Sequence, residues 1–368
     1  MLDPNLPSFQ DIETPALVLD FPALLRNIAG MAAFASAHGV GLRPHAKTHK
    51  SPAIAQRQLE AGARGIACAT VAEIEAFAKA GISGLLLTSP VTDRPKLQRL
   101  ARVARDAEIS IVVDHADQIE VLRDLLSDAH PLQVLVDIDV GQRRTGVCDA
   151  ASTLALARLV AATPGMRFGG IQGFAGHVQH LVEAGERKAG AAVAGAILNE
   201  HLGVLAAAGI AAPIVTGSGT GTCSFDAAGP YTELQVGSYV FMDADYGRLR
   251  RESGGALPYE PSLFILATVT SVNRAGEFTI DAGVKAMAFN GPAPKLMIGA
   301  PEGSTYRFGG DEHGIVTMPV GAAALRLGSR VLVLTTHCDP TVNLHPEYHV
   351  VGHNNGVETW PVLARYGY

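Results

Sequence analysis

Two lysines and two histidines fall within the eight residues "RPHAKTHK", positions 43 to 50. A lysine amine can condense with a carbonyl group, and Lys47 is the one that closes an apolar run. Lys50 stands just before Ser51 and Pro52, a helix-start signal, and is expected in solvent. His45 and His49 are compatible with core or loop positions. Far downstream lie "VTGSGTGT" (215–222) and "LQVGSY" (234–239), whose small residues would let backbone N–H groups approach phosphate oxygens. Their candidate binding residues are Ser218, Gly219, Thr220, Gly237, Ser238 and Tyr239. In "LTTHCDPT", His337 and Asp339 are two apart, so on a strand they share a face while Cys338 takes the other. An imidazole and a carboxylate together suit a divalent cation; a strand end with an Asp-Pro turn is the plainer account. "GHVQH" adds His177 and His180, each either a base or a structural residue.

These residues need elements to bring them together. Eight short apolar runs recur between helix-like segments: "VGLRPHA", "GIACAT", "GLLLTSP", "SIVVD", "LQVLVDID", "GIQGFAG", "PIVTGSG" and "ELQVGSYVF". The intervening segments carry helix signals, such as the Thr70 and Glu73 capping box with Gly81 as terminator, and Ser51 as N-cap ahead of Pro52. "AGERKAGAAVAGAILNEHLGVLAAAG" is rich in alanine and reads as helix. Strands alternating with helices imply a parallel sheet, and eight such units fit an α/β fold of the (β/α)8 barrel type, with a doubly wound open sheet as the alternative. In a barrel the C-terminal strand ends face the active site, which is where Lys47 falls, and the loops after strands seven and eight are where phosphate binds. Lysine, phosphate loops and barrel together suggest pyridoxal phosphate held as a Schiff base.

From about residue 258 the texture changes to strands separated by turns, so a mostly antiparallel β-domain is expected. The barrel is assigned residues 22–257 and the β-domain residues 1–21 and 258–368, although "TPALVLD" could join either part. A net charge of −6, with 29 scattered Lys and Arg, offers no basic field for nucleic acid. No apolar run approaches the roughly 18 to 20 residues that span a bilayer, and the N-terminal segment lacks signal-peptide features, so no membrane partner and a cytoplasmic location are expected. The four cysteines stand far apart, which disfavours a disulfide scaffold or a structural zinc site.

The segments "ETPALVLD", "RPHAKTHK", "VDIDVGQRRTGV", "GIQGFAGHVQH", "TGSGTGT", "GSYVFMDADY" and "HCDPTVNL" run in order along nearly the whole chain. In them the sequence resembles the fold-type III pyridoxal-phosphate enzymes of the D-threonine aldolase and D-serine dehydratase branch. The resemblance implies an alanine racemase-like barrel, a C-terminal β-domain and a homodimer, with Lys47 as the Schiff-base lysine. It assigns Arg144, rather than Arg143, to the cofactor's phenolic oxygen. Related racemases read Glu-x-Arg-Pro-Gly where this chain has "ELQVG", so Gln235 stands where their arginine meets the pyridine nitrogen. Some members have tyrosine where this chain has Phe174. Aldolases of the branch carry His-x-Asp as metal ligands and the dehydratases His-x-Cys, so His337 and Asp339 imply an aldolase with Mn²⁺ or Mg²⁺. His180 is then the implied base, with His177 second.

The expected activity is retro-aldol cleavage of a small β-hydroxy-D-amino acid, D-threonine giving glycine and acetaldehyde. D-3-Hydroxyaspartate, giving glycine and glyoxylate, is a competing substrate. A dehydratase, a racemase and a non-catalytic cofactor-binding protein are the other readings.

Overall fold

Strands buried on both faces read as unbroken apolar runs, and that is how the eight central strands are built. The computed structural model describes residues 2–4, 7–126, 131–353 and 356–365. After β1 (Ala16–Asp20) come β2 (Gly41–Leu42), β3 (Ile66–Cys68), β4 (Leu85–Leu87), β5 (Ile109–Val113), β6 (Leu132–Asp137), β7 (Met166–Gly173), β8 (Ile214–Gly217) and β9 (Glu233–Leu234). β2 to β9 form one parallel sheet in the order β2-β9-β8-β7-β6-β5-β4-β3. Its two ends meet: a parallel bridge joins His45 to Ala67, and the N–H groups of Arg64 and Ala67 donate to the carbonyls of Leu42 and Pro44, each at 2.8 Å. Arg43 and Glu233 lock the β2–β9 seam through a buried fork of 2.7 and 3.1 Å. Inside, Leu86, Val112 and Leu135 pack with Ile214; their neighbours Leu85, Leu87, Ile111 and Val134 face the helices.

The helices begin largely as the sequence implies. Thr70 and Glu73 form the capping box of Val71–Lys79. Ser51 is the N-cap of Pro52–Glu60, but its side chain makes no capping bond. Ala184–Ala207 is long and apolar enough by length and composition to cross a bilayer. Here it packs on the barrel: Ala194, Leu198 and Leu205 join the core, and Arg187 is buried.

β1 belongs to the second sheet. It pairs antiparallel with β10 (Leu263–Ser271) and parallel with β16 (Glu347–Val351). β11 (Glu277–Ile280), β12 (Lys295–Ile298), β13 (Thr305–Phe308), β14 (Gly314–Thr317), β15 (Arg330–Leu334) and β17 (Val357–Pro361) complete it. The path is β13-β14-β11-β10-β1-β16-β17, with β15 pairing β10 and β12. The segment after β15 lies against the barrel mouth: the N–H groups of Ala244 and Asp245 donate to the carbonyls of Thr335 and Thr336 at 3.0 and 3.2 Å.

Candidate active site

Beyond β2 the chain makes a single 3-10 turn, Ala46–Thr48, that carries Lys47 into a cavity at the barrel mouth. His45 shapes this turn. Its Nδ1 accepts from the Lys47 N–H at 3.3 Å and its Nε2 lies 3.1 Å from Thr88 Oγ1. Burial, and then the Lys47 charge, hold this imidazole well below its ordinary range, so it stays neutral. His49 is fully buried, which pushes it down to about 3; its Nδ1 accepts from Ser51 N–H at 3.1 Å, a structural role. The expectation for Lys50 is overturned. It is buried, its Nζ sits 2.6 Å from Glu73 Oε1 and 3.0 Å from the Ala364 carbonyl, and its backbone has a φ of 49°. With that left-handed backbone the side chain reaches the same glutamate that takes part in the capping box of Val71–Lys79.

The loops after β8 and β9 meet on the opposite wall. Gly219, Thr220, Gly237 and Ser238 line the cavity, and Thr220 Oγ1 accepts from the Tyr239 N–H at 3.0 Å, which joins the two loops. Tyr239 is therefore a scaffold residue. Its N–H is used by Thr220, and its buried hydroxyl accepts from Gln58 Nε2 at 3.0 Å. Ser218 is likewise buried and lies just outside the lining residues, with a φ of 69°. Arg144 lines the cavity with its guanidinium 5.7 Å over the Phe174 ring, whereas exposed Arg143 only donates its N–H to Asp139 Oδ1 at 2.9 Å.

The pair His337 and Asp339 does not ride on a strand. β15 ends at Leu334, and His337 is the N-cap of a short helix, Cys338–Val342. The helix start still brings the two together, with His337 Nε2 and Asp339 Oδ1 at 3.9 Å. Cys338 turns away, buried, with its Sγ 3.5 Å from the Met242 carbonyl. Asp339 Oδ2 accepts from Lys47 Nζ. Burial works against the Asp339 carboxylate, but Lys47 and His337 outweigh it and hold the group well below the carboxylate range. The His180 ring lies 5.9 Å from that of His337 and 5.1 Å from Tyr246. Its Nδ1 is 2.6 Å from Asp245 Oδ2, so Nδ1–H donates and Nε2 remains free to take a proton. His177 is exposed and stands against Gly141 instead.

The alanine racemase N-terminal domain matches residues 19–245 and a putative serine dehydratase domain matches residues 262–351. A D-threonine aldolase of Arthrobacter sp. is 43% identical, over 96% of this chain and 93% of its own. A 3-hydroxy-D-aspartate aldolase of Paracoccus denitrificans (strain Pd 1222) is 38% identical, over 98% and 95%. The crystal structure of D-threonine aldolase from Filomicrobium marinum has a TM-score of 0.92 at 38% identity, covering 97% of each chain. The chain belongs to the fold-type III pyridoxal-phosphate enzymes, in their D-threonine aldolase and D-serine dehydratase branch.

A fold-type III enzyme must hold a phosphorylated ring, and the cavity fits one. Thr48 Oγ1 is buried there without a hydrogen-bond partner, and a side-chain carbon on Gly237 would stand only 2.6 Å from it. At Gly219 such a carbon would fall 2.5 Å from Gln179 Oε1. Only glycine keeps that cradle open. Gln235 Nε2 donates to Gln172 Oε1 and Thr216 Oγ1, both at 3.0 Å. Gln172 Nε2 in turn donates to the Thr88 carbonyl at 2.9 Å and to Asp137 Oδ1 at 2.8 Å. A divalent ion fits as well: Asp339 Oδ1 is buried without a hydrogen-bond partner, facing the His337 imidazole. Among the described residues no cluster of three or more His, Cys, Asp or Glu could hold a metal, so an ion here would complete its shell with water or substrate oxygens.

In this fold-type III enzyme the positioning groups are the residues the sequence reading passed over. Buried Asp243 accepts N–H bonds from Asp245 at 3.1 Å and Tyr246 at 2.8 Å through Oδ1, and from Cys338 at 2.9 Å through Oδ2. Buried Arg187 donates to the carbonyls of Gly221, Leu181, Val182 and Arg250. It thereby fastens the phosphate loop to the His180 segment and to the loop that follows Asp245. The alternating acids of "MDADY" were a signal for Asp243 and Asp245; Arg187, inside an alanine-rich helix, offered none.

Proposed function

We propose that this protein is a pyridoxal-phosphate- and divalent-metal-dependent aldolase that cleaves D-β-hydroxy-α-amino acids, converting D-threonine to glycine and acetaldehyde. The observation that carries the reading is the convergence of Lys47, His180, His337 and Asp339 at one mouth, with Asp245 behind the base. Pyridoxal phosphate supplies an electron-withdrawing ring for the pair left by Cα–Cβ cleavage, and a cation held by His337 and Asp339 supplies charge for the substrate's β-hydroxyl. His180 Nε2 takes the β-hydroxyl proton, and Asp245 stabilises the imidazolium that results. Lys47 anchors the cofactor and displaces the glycine product. Arg144 orients the cofactor ring, while Gly219, Thr220, Gly237 and Ser238 bind its phosphate. An imidazole and a carboxylate favour a hard ion, so Mn²⁺ or Mg²⁺ is the assigned metal. Asp339 stands where a dehydratase of the branch carries its thiolate, and Cys338, the middle residue, is turned away against the Met242 carbonyl. A cytoplasmic homodimer completes the proposal.

D-3-Hydroxyaspartate is the second candidate substrate, favoured by the similarity to the Paracoccus protein. The test is to incubate the chelated enzyme with each substrate, with and without Mn²⁺, and identify the products. Glycine plus the aldehyde, formed only with the ion, is expected. Keto acid and ammonia in place of glycine would overturn the aldolase reading.

A further inference from the structure

Lys47 and Asp339 are joined as an ion pair, although the reading above gives them to different ligands, the lysine to the cofactor and the carboxylate to the metal. One carboxylate oxygen is occupied by the ammonium; the other faces His337 across 3.9 Å without a hydrogen-bond partner. We infer that Lys47 guards the metal site, so that cofactor and metal load cooperatively. The ammonium and a divalent ion are like charges competing for one buried carboxylate, and a lysine in place both blocks an oxygen and repels the ion. Capturing the cofactor removes the guard. The lysine nitrogen forms a C=N bond to the cofactor's aldehyde carbon, the C=O bond breaks, and the oxygen leaves as water with two of the three ammonium protons. Nζ then keeps one proton and its positive charge, now offset by the cofactor's own anionic groups, and its tether to the ring would leave Asp339 Oδ2 open to the ion.

Linkage makes the effect reciprocal: whatever factor the cofactor adds to metal affinity, the metal adds to cofactor affinity. Couplings of this kind are roughly 5- to 150-fold. The alternative, two independent sites, predicts no change in either titration.

This inference rests on the proposed metal site, and the experiment separates the two. Mn²⁺ binding is followed by the electron paramagnetic resonance of the free ion, in protein stripped of pyridoxal phosphate, in the reloaded enzyme, and in a stripped Lys47→Met variant. Metal binding at least about fivefold weaker in the stripped wild type than in the reloaded enzyme, and restored in stripped Lys47→Met, is expected. Absorbance titration of the cofactor with and without Mn²⁺ should return the same factor. Equal Mn²⁺ affinity in stripped wild type and stripped Lys47→Met would overturn the guard while leaving the metal site in place. Mn²⁺ binding that survives both His337→Ala and Asp339→Ala would remove the site and the inference together.

Discussion

Asp245 decides which face of one imidazole is available for chemistry. With Nδ1 of His180 committed to this carboxylate, Nε2 is the ring nitrogen left for chemistry, on a ring 5.9 Å from that of His337. Burial opposes the Asp245 charge, but His180 and Arg248 outweigh it and keep the group below its ordinary range, so it is a fixed anion. Replacing His180 by Asn removes the proton acceptor and should lower turnover of D-threonine by about 10²- to 10⁴-fold while leaving the cofactor's absorbance band in place, as steady-state kinetics and a spectrum of the same sample will show. Lys50 carries a different prediction. Because Glu73 is buried beneath it, Lys50→Met leaves an uncompensated carboxylate and should destabilise the fold by about 3 to 5 kcal/mol in urea titration. At this scale the sequence showed which residue types matter but not which way they face. Lys47 and Lys50 lie three apart in one motif, and only the φ of 49° at Lys50 separates a cavity lysine from a buried one.

Between elements, the decisive contact is Asp243 reaching from the loop after β9 to the helix start at Cys338. It holds the base's partner and the candidate metal ligands in one frame. Asp243→Asn keeps an acceptor for two of the three N–H groups and turns a donor toward the third. It should cost about 1 to 3 kcal/mol of stability, with kcat falling while the cofactor band is retained. A second prediction concerns Asp137 at the end of β6. Burial is the main cause that pushes its carboxyl up to about 6, against hydrogen bonds from Gln172 and Thr145. The native state then keeps a proton that the unfolded chain releases near pH 4, so this group's contribution to stability is full below that pH and is lost as the pH rises to about 6. The loss is about 3 kcal/mol, and Asp137→Asn should flatten the stability profile across that window in denaturant titrations. Element types were readable from apolar runs and caps, because those depend on neighbouring residues. The helix start at His337 was not: the β-like run "LVLTT" carries no local sign of stopping at Leu334, whereas in the structure Thr335 and Thr336 accept from a loop about ninety residues away in sequence.

For the molecule as a whole, the two sheets divide the labour. The barrel presents lysine, base and phosphate loops; the second sheet delivers the imidazole and carboxylate assigned to the metal. Since the proposal gives such an ion two side chains, His337 and Asp339, and no larger ligand cluster lies among the described residues, chelation should abolish aldol cleavage yet move Tm by less than about 2 °C, which differential scanning calorimetry with and without chelator will check. The architecture was legible because strands alternating with helices, followed by strands alone, leave few arrangements. What was not legible was the placement of "TPALVLD", since nothing local to a strand says which of two sheets it joins. That strand now has a consequence for synthesis. β1 sits between β10 and β16, partners that leave the ribosome about 250 and 330 residues after it. Throughout translation of the barrel, an apolar strand with unmatched backbone groups waits without its partners, a template for wrong pairing between neighbouring nascent chains. A chain stopped after residue 257 should therefore aggregate on expression, and deleting residues 1–21 from that fragment should relieve it, as the soluble fraction of each will show.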